Sequence, residues 1–312
     1  MADTDTPLIV LLGNDDDDDD HRVLFDGIRR SGGQPRRVHP DELVTEATAE
    51  GTRFLVGGRD LAPDLMFGWV YEDYLILGMN QLETARLAGI PVVNSAMTLL
   101  RGQSKYLNSA LLHRAKVPHL PVLWGRDENT LAVWTAERGY PMVTKPLMSS
   151  RGRGMHRLTD EASVRDHVRT LGPGPEQYYV QPYVPARHRD TRVLCVNHRA
   201  VAAVERVAPQ GTWISNAPGN TRHRADLTLE LRAIAEQAAE AMDALFAGVD
   251  IAQDEHTGEL CVYEVNTCPT CTATFRELGA EPVPLAELAS FLVAAARDFD
   301  GARRDWRPSA TF

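Results

Sequence analysis

The chain of 312 residues has no apolar run near the ~20 residues that a helix needs to cross a bilayer. A membrane-spanning segment is therefore not expected. Cysteine is scarce: there are four, and only the Cys268-Pro-Thr-Cys271 pair is closely spaced, which does not read as a disulfide framework. A structural zinc would need four ligands, usually a second such pair or a histidine pair at similar spacing, and none is evident. A thioredoxin-like pair would follow the first strand at a helix N-terminus, whereas this one lies near the end, so it reads as small residues in a tight loop. Positive charge is also short, with 33 Lys and Arg against 43 Asp and Glu and a net charge of -10. That balance argues against a general nucleic-acid binder, although local basic clusters remain open. The start Met-Ala-Asp-Thr-Asp lacks the basic-then-apolar layout of a signal peptide, and a cytoplasmic location is expected. No Gly-Lys-Ser/Thr follows a glycine-rich loop, so the P-loop is missing.

What is present is an ordinary globular composition, 43% hydrophobic and 24% charged, in a chain long enough for two or three lobes with cores of their own. The run 7–12 is continuously apolar, as in a strand buried on both faces of a parallel sheet. Further strands at 53–56, 65–68 and 91–94 alternate with helices after residue 20 and over 74–87, which predicts an open α/β layer over residues 1–102. Residues 103–176 predict helices at 105–114, 130–138 and 162–170 and strands at 121–124 and 140–145, with the breaker-rich Leu171-Gly-Pro-Gly-Pro175 as the boundary. Residues 177–300 predict antiparallel strands at 178–184, 191–197 and 200–207, a long helix over 229–245, strands at 249–252 and 260–266, and a closing helix over 285–297. Residues 301–312 read as a loose tail.

The most informative segment is Leu260-Cys-Val-Tyr-Glu-Val-Asn266, with Asp250 on the preceding strand. Alternation along a strand puts Glu264 and Asn266 on one face and Tyr263 and Val265 on the other. Two acids and an amide on neighbouring strands suit a hard cation that keeps phosphates in its shell, as in a magnesium-ATP site. The same residues could also be an exposed polar sheet face. Ser149-Ser-Arg-Gly-Arg-Gly154 follows a strand ending in Lys145, and Ser150, Gly152 and Gly154 would let backbone N–H groups approach phosphate oxygens, with the lysine as a point charge. A hairpin turn is the competing reading. Val180-Gln-Pro-Tyr-Val184 could present a backbone edge to adenine, since Pro182 has lost only its donor. Asp190 and Arg192 share a strand face, with Arg206 on a neighbouring strand, and Arg222-His-Arg224 adds local positive charge suited to anionic substrates.

Taken together and in this order, these segments resemble an ATP-grasp ligase, most closely the RimK-type glutamate ligases and the related amino-group-carrier-protein ligases of lysine biosynthesis. The resemblance runs from about 92 to 273 and is strongest in Ala202-Ala-Val-Glu-Arg206, Ser215-Asn216, Ala247-Gly-Val-Asp-Ile251 and Glu264-Val-Asn266. It implies an α/β fold with α+β lobes, in which an N-terminal open α/β domain precedes two lobes that hold ATP between them. It implies an ADP-forming ligase that phosphorylates a carboxylate and lets an amine capture the acyl phosphate. On that basis Lys105 and Lys145 would hold phosphates and 150–154 would be a mobile cover. Gln181, Pro182 and Val184 would frame adenine, with Asp190 among the nucleotide residues. Asp250, Glu264 and Asn266 would bind one or two magnesium ions, with manganese as a substitute, and Arg206, Asn216 and Arg192 would face the transferred group. Carboxylate and amine partners of amino-acid or small-peptide type follow, with neither nucleic acid nor membrane as partner. Relatives are often dimers or tetramers, which leaves a homo-oligomer open.

Three departures from the family pattern concern substrate pockets more than phosphate handling. Thr267-Cys-Pro-Thr-Cys271 replaces the usual small residue, proline and glycine after Glu-Val-Asn. Ile214 stands where the family has an arginine ahead of its Ser-Asn pair, and Ala217-Pro-Gly-Asn-Thr221 replaces the glycine-rich sequence that follows. Ala186 and Arg187 stand where an acid often meets ribose. A small-molecule kinase of the same fold and a nucleotide-binding module without turnover remain alternatives. Retention of Lys145, Asp250, Glu264 and Asn266 disfavours the second. The run Asp15 to Asp20 reads either as an acidic loop ahead of a helix N-terminus or as a steering patch for a cationic amine.

Overall fold

A computed structural model describes residues 6–14, 18–147, 153–172 and 176–312. The apolar run at the start forms β1 (Leu8–Gly13), buried almost throughout. α1 (Asp18–Arg30) opens on three acids and closes on two arginines, the polarity that a helix dipole favours. After β2 (Gln34–Val38) come β3 (Val44–Thr48), β4 (Gly51–Val56) and β5 (Arg59–Leu61), an antiparallel meander of which only the middle strand was legible in the sequence. Every residue of β3 is exposed, so no apolar alternation marks it. β6 (Leu65–Trp69), α2 (Leu75–Leu87), β7 (Val92–Val93) and α3 (Ala96–Gln103) complete this part. The first sheet has the order β2-β1-β6-β7 with every pairing parallel.

Ser104 ends α3 and caps α4 (Lys105–Arg114) by accepting from the Leu107 amide. There follow β8 (Leu123–Gly125), α5 (Glu128–Arg138), β9 (Met142–Thr144), β10 (His156–Leu158), α6 (Glu161–Thr170) and β11 (Tyr178–Pro182). Asp127 and Asp160 cap α5 and α6 in the same way. The sheet order is β10-β9-β11-β8, antiparallel.

The third sheet is built from β12 (Arg189–Val196), β13 (Arg199–Val207), β14 (Thr221–Arg224), β15 (Phe246–Gln253) and β16 (Leu260–Asn266), with α7 (Leu229–Ala241) between β14 and β15. Its order is β14-β13-β12-β15-β16, again antiparallel. α8 (Thr272–Glu277), α9 (Val283–Arg297) and α10 (Phe299–Asp305) close the chain.

One core joins the first and third sheets. Ile9, Leu11, Phe67 and Trp69 pack with Leu194, Val201 and Phe246 around Leu285, Leu288 and Leu292 of α9. Each such side chain contributes about 1.5–3 kcal/mol on burial. Asn94, fully buried, fixes the register between them: its Nδ2 donates to Phe246 O at 2.8 Å and Thr267 O at 3.1 Å, and its Oδ1 accepts from the Leu245 and Phe246 amides at 2.9 and 3.2 Å. The expectation of a loose tail gives way here. α10 covers its start, Ser309 and Ala310 donate to the buried Glu287 carboxylate, and Phe312 exchanges backbone hydrogen bonds with Val201 and Ala203. No helix among the described residues is long and apolar enough to cross a membrane.

Candidate active site

Cross-strand register in the third sheet lines up the ionisable residues. Asp190 of β12 lies opposite Arg206 of β13, Arg192 of β12 lies opposite Asp250 of β15, and Asp250 lies opposite Glu264 of β16. Arg206 donates from Nε and Nη2 to both oxygens of Asp190 at 2.7 Å, and its Nη2 also lies 2.9 Å from Asp250 Oδ2. Arg192 grips both Asp250 oxygens at 2.7 and 2.9 Å. Burial alone would raise the Asp250 carboxyl, but Arg192 and Arg206 override it and hold it down at about 2. Asp190 also accepts from Ser215 Oγ at 2.7 Å. Asp190, expected among the nucleotide residues, therefore spends its oxygens on holding Arg206 and the 208–220 loop in place.

Above this face lies an open cleft walled by β9, β11, the 183–190 segment, the 213–216 loop and β16. Of the expected residues, Lys105, Lys145, Gln181, Pro182, Val184, Asp190, Arg206, Asn216, Asp250 and Glu264 line it. Arg192 and Asn266 do not. Asn266 instead donates to Asp250 Oδ2 at 3.3 Å, and Arg192 faces a second, smaller cavity of about 360 Å³ with Leu194, Val204, Arg222, Thr270 and Thr274. Arg206 and Asn216 line both cavities and form the wall between them. Ser150 and Gly152 lie outside the described residues. Gly154 has φ +70°, and a Cβ there would come 2.7 Å from Pro146 Cγ, so the backbone after the glycine-rich stretch packs tightly on the residue that follows Lys145.

Strict alternation fails at one place in β16. The register shifts between Asp250 and Ile251 as their partners step from Glu264 to Val262, which leaves Tyr263 as an extra residue in a bulge. Tyr263 and Glu264 consequently both line the cleft, while Val262 and Val265 both enter the core. The expectation that Tyr263 turns away from the site is thereby corrected. Its ring lies 5.2 Å from Lys145 Nζ. Burial pushes the Lys145 ammonium below lysine's usual value, with Glu264 pulling the other way.

α4 is tied to β11 and β16 by a buried relay. Ser109 Oγ lies 2.7 Å from the Tyr179 hydroxyl and 2.9 Å from His119 Nε2, and His119 Nδ1 lies 2.7 Å from Val262 O. Burial lowers His119 to about 4, so the ring is neutral near pH 7. This frame sets the first residue of α4, Lys105, at the cleft edge. None of its members was marked by the sequence. Trp213, Met155 and Val143, also cleft walls, were likewise unmarked, because single apolar residues carry no periodicity that distinguishes a ligand wall from core, whereas Ile214, another wall residue, had stood out as a departure from the family pattern.

Two predicted features take other roles. Arg224 lies with its guanidinium 4.3 Å over the Phe312 ring, away from both cavities, whereas Arg222 reaches the smaller one. In the acidic run, 15–17 lie outside the described residues. Asp18 pairs with Arg37 and Asp19 with Arg22 and Arg276. Asp20 is buried and accepts from the Cys271 amide at 3.1 Å and the Thr272 amide at 2.6 Å. Cys271 faces the core beside Phe275, and its thiol lies 3.5 Å from Pro269 O.

The donor set can accommodate a magnesium-nucleotide. Asp250 and Glu264 stand beside three cations, Lys105, Lys145 and Arg206, and carboxylates placed next to phosphates repel them unless a metal ion lies between. No group of three or more His, Cys, Asp or Glu among the described residues could hold a metal, so a complete shell would draw on the Asn266 amide oxygen and on phosphate oxygens. Two buried polar atoms in the cleft wall, Arg206 Nη1 and Gln181 Oε1, have no hydrogen-bond partner. One is a donor suited to an anion and the other an acceptor suited to an amino group.

A nucleotide cleft between two antiparallel sheets, with a wall of arginine and asparagine shared with a second pocket, defines the class as an ATP-grasp ligase. Residues 102–283 match the model of the RimK-like ATP-grasp domain, and the chain belongs to that family. It is an ATP-dependent, ADP-forming carboxylate-amine ligase. Similar proteins include the tetrahydromethanopterin:alpha-L-glutamate ligase of Methanosarcina acetivorans, 28% identical over 64% of this chain and 70% of the relative. The alpha-aminoadipate–LysW ligase LysX of Saccharolobus solfataricus is 26% identical over 60% of this chain and 70% of the relative. Among solved structures, the ATP-grasp ligase PsnB complexed with minimal precursor superposes with a TM-score of 0.73 at 20% identity, covering 93% of this chain and 99% of that one, a likeness of fold.

Proposed function

We propose that the enzyme joins an amino acid or small peptide to a second substrate carrying a carboxylate, with the reaction taking place at the wall formed by Arg206 and Asn216. The observation that carries this reading is that these two residues line both the nucleotide cleft and the smaller cavity. A carboxylate seated in the smaller cavity can then attack the terminal phosphorus of ATP across that wall, releasing ADP. Amine nitrogen attacks the acyl carbon next, phosphate leaves, and the nitrogen loses a proton. Phosphoryl transfer of this kind needs positioning and positive charge more than a side-chain nucleophile. Arg206 and Lys145 supply that charge from buried positions, and Lys105 adds to it at the cleft edge. Gln181 and the backbone of 181–184 orient the base, and Asn216 orients the reacting oxygen.

Magnesium, one or two ions with manganese as a substitute, would be held by Asp250, Glu264 and Asn266 and would neutralise phosphate charge. Residues 1–102 form the N-terminal domain, and the lobes 103–176 and 177–300 close on the nucleotide. Because several relatives are named as alpha-L-glutamate ligases, L-glutamate is the first amine to offer. Ile214 and Thr267-Cys-Pro-Thr-Cys271 argue for a carboxylate partner of this chain's own.

The test is an ADP-release screen of amino acids in pairs, with mass spectrometry reading the loss of water between partners. A pair that gives both signals supports the reading, and Glu264→Gln should abolish most of the release while leaving the melting temperature near wild type. ADP release without any joined product, or full turnover in Glu264→Gln, would refute it.

A further inference from the structure

Three arginines line the smaller cavity, and their charges are held with very different firmness. Arg192 and Arg206 are 15% and 4% exposed against carboxylates that are 5% and 4% exposed. Separating such pairs strands buried charge, so they are permanent. Arg222 is 24% exposed, and its partner Glu277 is 52% exposed. An ion pair open to water contributes little and is easily exchanged for another anion.

Local structure keeps that pair ready. Arg222 lies on the edge strand β14, opposite Arg206 in register, so it shares the cavity face. Glu277 is the last residue of α8, and both of its oxygens lie 2.5 Å from Arg222 Nη1. The short α8 is pinned from α1 at two points. Asp20 accepts from the amides at its start, and Asp19 pairs with Arg276 at 3.0 Å. With Arg276 engaged by Asp19, Glu277 is left to Arg222. Thr270, from the segment that departs from the family pattern, and Thr274 of α8 add hydroxyl donors to the same wall.

Resting on the ligase reading above, we propose that Glu277 is a built-in counter-ion of the substrate cavity and that Arg222 and Glu277 together set its specificity. Glu277 holds Arg222 until a carboxylate of the second substrate displaces it. A ligand able to offer two oxygens to the guanidinium competes well, and an uncharged one leaves the pair closed.

The test uses the full chain saturated with Mg-ADP and succinate as the probe, with binding followed by isothermal titration calorimetry in wild type, Glu277→Gln and Arg222→Gln. Removing the competing carboxylate should tighten succinate about five-fold, and removing the guanidinium should weaken it about ten-fold or more relative to wild type. Mg-ADP affinity should be the same in all three, because neither residue lines the nucleotide cleft. Equal succinate affinities in wild type and Glu277→Gln, or no succinate binding by any of the three, overturn the proposal. Failure of wild type to bind Mg-ADP would strike the ligase reading instead, which separates the two. Unchanged melting curves for Glu277→Gln establish that a shift in affinity is not a shift in folding.

Discussion

Arg206→Met tests whether the charges at the shared wall form one unit. Arg206 and Asp190 are both 4% exposed and bound twice at 2.7 Å, and Arg206 also reaches Asp250. Methionine fills much of the arginine volume, so little cavity energy is involved. Asp250 keeps Arg192, but Asp190 retains only the Ser215 hydroxyl as a hydrogen-bond partner among the described residues. A buried carboxylate stripped of its cation costs about 3–5 kcal/mol. Replacing both members, as Arg206→Met with Asp190→Leu, removes the stranded charge and should recover most of that loss. Urea denaturation of wild type, both single variants and the double variant at neutral pH measures the cycle. A single-variant loss below about 1 kcal/mol, or a double variant no better than the sum of the singles, would refute the claim that burial couples these charges.

Acid should act through Asp250, whose carboxyl is held at about 2 against an ordinary value of 3.8. Its folded value is depressed, so its stabilising contribution is full above about pH 4 and is lost as pH falls toward 2. Arg192→Met should raise that carboxyl and move the acid-unfolding midpoint to higher pH, and an unmoved midpoint in circular dichroism would contradict the assignment. In the acidic run, Asp20→Ala leaves the Cys271 and Thr272 amides without their acceptor and should cost about 1–3 kcal/mol. Asp18→Ala, at an exposed position, should change the melting temperature far less, and the reverse order would return the run to a surface role.

Much of the architecture was legible in the sequence because its cause is local. A continuously apolar β1 and the breaker-rich stretch at 171–175 each write a strand or a boundary into a short stretch of chain. The residues proposed for a magnesium-nucleotide site, Lys145, Asp250, Glu264 and Asn266, drew attention for the same reason, since polar groups on an apolar strand stand out. Tertiary structure decided how those groups are spent. Asp250 and Asp190 became anchors for Arg192 and Arg206 through cross-strand register, which depends on residues far apart in the chain. Tyr263 turned into the cleft because a bulge inserted one residue, an event that pairing with β15 reveals and the β16 sequence alone does not. Asp20, Arg276 and Glu277 acquired their roles only when α1 met α8, because an ion pair or a cap between distant segments leaves no periodic trace in the sequence and exists only once the core has set the distance.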